Sequence, residues 1–279
     1  MARTLTETMR PRSGSSAKAL LLTVLGEMVL PRGGAVWTST LVLGLGELGV
    51  GERNARQAVS RLADQGVVRS EKEGRKARWH LTDQGSHLLT DGTERIYGFA
   101  AGDDGWGGRW LVVLCSVPED QRTRRHQLRT QLAFLGFGFL GPGVALSPHL
   151  EREAAATAVL ADLDLLPGAV VFRAEAGDVT APDVLLRRAW DLDALGADYG
   201  EFVAGFERRA PVAGPDEFGA LVELVHAWRR FPFVDPEIPE RLLPAGWPGH
   251  RAKELFDALH AAWAPGANAW FDEIEAATT

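Results

Sequence analysis

The stretch "GERNARQAVSRLADQGVVRSEKEGRKARWHL" occupies residues 51–81 and contains two elements in succession. In its first half Ala55, Val59 and Leu62 recur at helical spacing and make one apolar stripe, and Gly66 is placed to stop the helix in left-handed backbone. The other positions are Arg53, Asn54, Arg56, Gln57, Ser60 and Arg61. These side chains have the reach and donor geometry for phosphates and base edges. The second half predicts two strands around a tight turn at Glu73-Gly74, and its second limb carries Arg75, Lys76 and Arg78.

Upstream, "SAKALLLTVLGEMVL" (16–30) predicts a helix with Ser16 as N-cap, ended by "PRGG" (31–34). "VWTSTLVLGLGELGV" follows, with Thr38 and Ser39 at the start of a second helix, where hydroxyls can donate to phosphates. Downstream, Thr82 caps a further helix at "TDQGSHLL". Helix, helix, helix and basic hairpin is the order of a winged helix-turn-helix, with the helix from about Glu52 to Gln65 entering the major groove of double-stranded DNA. A competing reading is that "GLGELG" (44–49) fits G-x-G-x-x-G, the dinucleotide fingerprint. The helix that should begin there is delayed by "VGE", and a second basic strand stands where a crossover helix is required, so this reading is set aside.

Composition points the same way. The chain has 279 residues and a net charge of −7. Residues 1–100 carry 14 Lys/Arg against 10 Asp/Glu, a balance of +4, and the remainder carries −11. A basic patch on an acidic chain predicts an anionic partner for that patch alone. No apolar run is long enough to cross a bilayer. "MARTLTETMRPRSGSS" has no secretion-signal core, and residues 1–15 are expected to form a flexible tail. The single cysteine, Cys115, sits in "WLVVLCSV" and is expected to be buried, which fits a cytoplasmic protein.

Beyond a Gly-rich boundary at 92–108, the expected elements are strand 109–119, helix 120–137, strand and turn 138–149, helix 150–165 and strand 169–177. This order predicts a small ferredoxin-like αβ sandwich. Residues 182–208, 216–230, 248–262 and 267–277 are expected to be helical, with Pro265-Gly266 breaking the last two apart. In "HAWRRFPFVDPEIP" (226–239), Pro232, Pro236 and Pro239 predict an extended connector. A catalytic role for His226, Asp235 or His250 finds no nucleophile or metal-ligand spacing to support it, and no cofactor or metal is expected. Trp190, Trp228 and Trp247, with Arg229 and Arg230, are candidates to bind an anionic aromatic ligand through ring stacking and charge-assisted hydrogen bonds. A structural role in locking helices together is the alternative.

The stretches at 16–66, "GRKARWHLT", "RIYGF", "GRWLVVLCSVPE" and "HAWRRFPFVDPEIPERLLPAGWPGHRAKELF" together resemble the PaaX family of bacterial repressors over nearly the whole chain. The resemblance implies an α+β protein with a winged helix-turn-helix domain at 16–98, a ferredoxin-like domain similar to the Cas2 endoribonuclease fold at 99–180, and a C-terminal helical domain at 181–279. It implies a homodimer that represses catabolic genes at near-palindromic operators and is released by an acyl-coenzyme A such as phenylacetyl-coenzyme A. Arg53, Arg56, Gln57 and Arg61, with the hairpin's Arg75, Lys76 and Arg78, stand at the matching places. Cas2 nuclease chemistry does not carry over: it needs an Asp at the end of the first strand, and "LCSVPED" places Ser116 and Val117 there. A metal-dependent nuclease and an enzyme acting on coenzyme A thioesters are the opposing readings.

Overall fold

The computed structural model describes residues 16–74, 76–99, 106–178 and 180–278. The tail 1–15 and Arg75 lie outside the described residues. The architecture is α+β, with two antiparallel sheets. The described residues fall into two compact units. One contains those up to Phe99, Phe202–Pro232 and those from Arg251 on. The other contains those from 106 to Glu201 and Phe233–His250. The segment after 181 thus contributes to both units.

In the first unit, α1 (Ala17–Val24) begins at Ser16, whose Oγ accepts from Ala19 N. It continues as a π turn over Leu25–Val29 and a 3-10 turn over Leu30–Arg32, and Gly33 ends it at φ +83°. β1 (Ala35–Trp37) leads directly into α2 (Thr38–Glu47), and α3 (Glu52–Asp64) follows a four-residue turn. The G-x-G-x-x-G letters therefore lie within α2 and its end. Gly44 is small because the Phe218 ring lies against it: a Cβ there would be 3.1 Å from Cζ. Gly49, at φ +74°, reverses the chain.

β2 (Val68–Glu73) and β3 (Lys76–Leu81) form the expected hairpin, in register from Val68↔Leu81 to Glu73↔Lys76. β1 joins on the other side of β3 and makes the order β1-β3-β2. α4 (Asp83–Gly98) starts at Thr82, whose hydroxyl accepts from Gly85 N and reaches Gly66 O. This helix occupies 92–98, the first part of the stretch read as a boundary. Gly92 and Ile96 lie on its buried face, and burial there continues the helix past its glycines.

The first unit is completed by α8 (Leu192–Phe206) from Phe202 on, α9 (Pro215–Trp228), α10 (Phe231–Val234) up to Pro232, and α11 (Pro248–Thr278) from Arg251 on. Two expectations fail here. The path after Arg230 begins with a single helical turn over Phe231–Val234, and only 235–239, with Pro236 and Pro239, run without helix. Pro232 sits in that turn, where no intrahelical N–H is required. Pro265-Gly266 does not break α11. The carbonyl left without a partner by Pro265 belongs to Ala261, and both residues are exposed. Gly266 answers a close approach, since a Cβ would lie 1.6 Å from Glu217 Oε2.

The second unit is built on β4 (Arg109–Cys115), α5 (Arg122–Phe134), β5 (Gly138–Gly141), β6 (Val144–Ser147), α6 (Glu153–Asp162) and β7 (Ala169–Glu175). The β-α-β-β-α-β connectivity with strand order β5-β6-β4-β7 is that of a ferredoxin-like sandwich. Its core includes Leu111, Val113, Leu132, Phe137 and Leu160. Cys115 is buried in that core, and burial pushes its thiol pKa up. The expected helix over 182–208 is interrupted, with α7 (Pro182–Ala189) ending before Trp190 and Asp191 Oδ1 accepting from Ala194 N to begin α8.

Candidate nucleic-acid interface

Helix α3 is strongly two-faced. Ala55, Ala58, Val59 and Leu62 are buried. Arg53, Asn54, Arg56, Gln57, Ser60 and Arg61, all six of the residues singled out from sequence, are exposed. Burial of the stripe fixes the helix rotation, so the outward face follows from the inward one. Thirteen residues span about 20 Å at the α-helical rise. Glu52, Arg53, Arg56, Gln57 and Ser60 line a shallow depression on this face.

The charges on that face are not equivalent. Arg56 pairs with Glu52 one turn back, Nε and Nη2 lying 2.9 and 2.8 Å from Oε1. Arg53 and Arg61 have no acidic partner among the described residues. Lys18, on α1, adds to this positive field although it was not singled out from sequence. Its pKa is lowered by burial and then by the charge of Arg61. A lone lysine in an apolar helix gives no signal in the pattern, and only the packing of α1 beside α3 reveals it.

The hairpin and the start of α2 meet at Trp37. The Arg78 guanidinium lies 5.2 Å from the Trp37 ring centroid and 3.6 Å from Glu73, and Lys76 Nζ lies 5.8 Å from the same ring. Lys76 is exposed and Arg78 is half-buried. Thr38 is committed within the fold: its hydroxyl donates to Ala77 O and accepts from Trp79 Nε1, each at 2.9 Å. The Thr38 hydroxyl is therefore not an open phosphate donor, which corrects the sequence reading, while Ser39 is exposed in the first turn of α2. The last turn of α11 rests on this corner. Glu275 Oε2 accepts from Trp37 N at 3.4 Å, Lys76 Nζ donates to Thr278 O at 2.7 Å, and Thr40 and Thr278 share a hydrogen bond of 2.7 Å.

The five residues expected to bind a ligand are divided between the two units. Trp228, Arg229 and Arg230 belong to the first unit, and Trp190 and Trp247 to the second. Trp228 is fully buried, stacked on Phe256 at 4.8 Å and 13°, with Phe231 at 5.2 Å and Phe202 at 5.4 Å. Its Nε1 donates to Ile96 O. No ring face is left for a ligand, so Trp228 is a core residue. Arg229 is buried beside it and donates to Thr23 Oγ1 at 3.1 Å, while the Arg230 guanidinium lies over Phe231. Trp190 covers Gly138, where a Cβ would lie 2.5 Å from the indole, and Trp247 meets Tyr199 edge-on at 6.0 Å.

The residues weighed for catalysis also have structural settings. His226 is kept neutral, its pKa pushed down to about 4 by burial and then by Arg229. Asp235 accepts from Tyr199 OH and Glu237 N, each at 2.6 Å, and burial raises its pKa. His250 is exposed. Past the end of β4, Ser116 is exposed and Asp120 lies in the turn beyond.

Three family descriptions match consecutive parts of the chain: PaaX-like protein at 16–85, PaaX protein central Cas2-like domain at 103–186, and PaaX-like protein C-terminal domain at 190–273. A curated relative, Transcriptional repressor PaaX of Escherichia coli (strain K12), is 31% identical over 274 residues, covering 94% of this chain and 84% of the relative. Among solved structures, the uncharacterized protein Rv0674 from Mycobacterium tuberculosis shares the fold with a TM-score of 0.62 at 23% identity, covering 91% of this chain and 98% of that one.

Proposed function

Because this chain belongs to the PaaX-like protein family, we propose that it is a sequence-specific DNA-binding transcriptional repressor and not an enzyme. The observation that carries the proposal is the outward face of α3, where Arg53, Asn54, Arg56, Gln57, Ser60 and Arg61 stand exposed over a buried apolar stripe. In this reading residues 16–98 act as a winged helix-turn-helix. α2 and α3 are the paired helices, α3 enters the major groove, and the β2–β3 hairpin is the wing. Arginine forks to guanine and glutamine to adenine supply sequence choice. Ser39, Lys18, Arg75 and Lys76 supply phosphate contacts, which hold the register without reading sequence. Thr38 supports the corner from within. A PaaX repressor in Escherichia coli, similar along nearly the whole chain, supports the assignment.

The finer parts of the proposal are a cytoplasmic homodimer at a near-palindromic operator and release by an acyl-coenzyme A such as phenylacetyl-coenzyme A. Two-fold protein symmetry is what half-sites one helical turn apart require. Release requires the effector to bind the DNA-free form better than the DNA-bound form. Among the described residues no helix is long and apolar enough to cross a membrane.

The test is fluorescence anisotropy of the purified protein with DNA from upstream of its own gene, against scrambled competitor and over a salt series. The expected result is preferential binding with a steep salt slope, and loss of anisotropy on adding phenylacetyl-coenzyme A. A folded protein with no sequence preference at any salt overturns the repressor reading. Preferential binding without release overturns only the effector.

A further inference from the structure

The charge pattern of helix α5 works against the helix itself. Its sequence, RTRRHQLRTQLAF, contains four arginines and no acidic residue. The chain beyond residue 100 carries −11, so this helix runs against its surroundings. Arg122, Arg125 and Arg129 follow one another at steps of three and four residues, which puts them on one face. Like charges at these spacings destabilise a helix. Arg122, Arg124 and Arg125 also lie in the first turn, where the macrodipole disfavours cations. Helices α3, α7 and α11 each carry an ion pair one turn apart, Glu52–Arg56, Asp183–Arg187 and Lys253–Asp257. With no acidic residue of its own, α5 has no such pair.

Two of the four arginines are offset locally. Arg124 donates to Gln121 Oε1 at 3.1 Å and lies 3.9 Å from Asp164. Arg125 pairs with Glu119 at 2.9 Å and donates to Val117 O at 3.2 Å. Arg122 and Arg129 have no acidic partner among the described residues. The Arg129 guanidinium lies 4.3 Å from the Phe139 ring centroid, a contact that steadies the charge without neutralising it. The exposed positions of α5 are Arg122, Thr123, His126, Arg129 and Ala133. No large apolar side chain is among them, and protein interfaces depend on such anchors. The arginines project outward from one helix, whereas a small anion is held by groups that converge in a pocket. An extended anion fits better than either. Arg122 to Arg129 spans about 10 Å along the axis. Over that length one strand of duplex DNA presents about three phosphates.

We propose that the outer face of α5, through Arg122, Arg125 and Arg129, is a second contact surface for the DNA backbone, carried by the second unit. This rests on the DNA-binding reading and extends it beyond α3 and the wing. The contacts are to phosphates, so they add affinity and salt dependence but no sequence choice. Arg125 exchanges Glu119 for a phosphate, and Glu119, 89% exposed, returns to water at little cost. The repulsion along the face is relieved when phosphates lie against it.

Binding of the full chain is measured by fluorescence anisotropy over a sodium chloride series. The probes are a duplex several helical turns long from upstream of its own gene and a scrambled duplex of the same length. The Arg122→Gln, Arg129→Gln double variant should bind both more weakly by the same factor. The slope of log K against log salt should fall by about 1.8, about 0.9 for each contact. With each contact taken as neutral at about 1 M salt, the loss at about 0.1 M is roughly 60-fold. The operator-to-scrambled ratio should stay that of the parent. Arg122→Glu places in the first turn the charge the macrodipole favours, so its Tm should hold or rise while DNA affinity falls. A Tm that falls in step with affinity marks a structural role and overturns the proposal. Parental slope and affinity in the double variant also overturn it, and an Arg53→Ala control that still lowers the operator-to-scrambled ratio leaves α3 as the reading helix. A lowered ratio in the double variant overturns the phosphate assignment. No binding of either duplex by the folded parent overturns both readings.

Discussion

The reading of α3 is tested most directly at Arg56, because its starting state is defined. Its guanidinium is paired with Glu52 on the same face, and both side chains are more than half exposed, at 56% and 64%. An exposed i,i+4 ion pair contributes about 0.3–0.5 kcal/mol. A bidentate contact to a guanine edge discriminates by about 1–3 kcal/mol. The contact outweighs the pair, so Arg56 exchanges Glu52 for the base. The net cost of Arg56→Ala is then about 0.5–2.5 kcal/mol, or roughly 2- to 70-fold in preference for operator over scrambled DNA.

Glu52→Gln acts in the opposite sense and on a different quantity. It removes the competing carboxylate and a negative charge facing the phosphates. It should tighten operator and scrambled DNA alike, by about twofold from the pair alone. In an Arg56→Ala background that gain should shrink, leaving only the contribution from the removed charge. The assay is competition anisotropy at fixed salt, with circular dichroism to verify folding. If Arg56→Ala leaves the operator-to-scrambled ratio unchanged in a folded protein, α3 does not read that base and the assignment of this face is wrong.

Four further expectations follow from other parts of the fold. Lys76→Ala should weaken all DNA sequences about equally and reduce the slope of log K against log salt by about 0.9; unequal effects across sequences would count against a phosphate role. Gly85→Ala puts a Cβ 2.0 Å from Val67 O, a backbone atom. It should displace the joint between α3, β2 and α4 and cost about 1–3 kcal/mol in urea unfolding. Trp228→Ala should cost about 3–5 kcal/mol, as for other buried aromatic truncations, and should alter effector response only as far as it unfolds the protein. His226 has a folded pKa of about 4 against an ordinary 6.5, so the unfolded chain binds more protons between these values. Stability is therefore full above about pH 6.5 and falls as pH drops toward 4, by on the order of 2–3 kcal/mol. Urea midpoints measured across that window should move less in His226→Gln.

The DNA-facing half was legible in sequence because its information is local. One helix carries both the stripe that buries it and the side chains it presents, so three- and four-residue spacing alone orients Arg53, Arg56 and Arg61. The hairpin was legible from Glu73-Gly74 and flanking alternation. β1 was not, because three residues carry no period; it exists only through its partners on β3. Pro265-Gly266 misled for a related reason. Proline is a helix stop when its missing bond is needed, and here Ala261, whose carbonyl is affected, is exposed while Trp263 and Ala267 bury the helix on either side of Pro265-Gly266.

Trp228 and Arg229 were misread because their environment is assembled from distant parts of the chain. In "HAWRRFPF" the two arginines beside the tryptophan suggest a surface, since arginine is seldom fully buried. The indole's hydrogen-bond partner is Ile96, 132 residues away, and the guanidinium's is Thr23, 206 residues away. No local pattern encodes those pairings. Burial removes Trp228 from any ligand by covering both faces of its ring. Burial of Arg229 differs in kind, because enclosing an ion leaves its requirement for a counter-charge in place and makes it more costly to leave unmet.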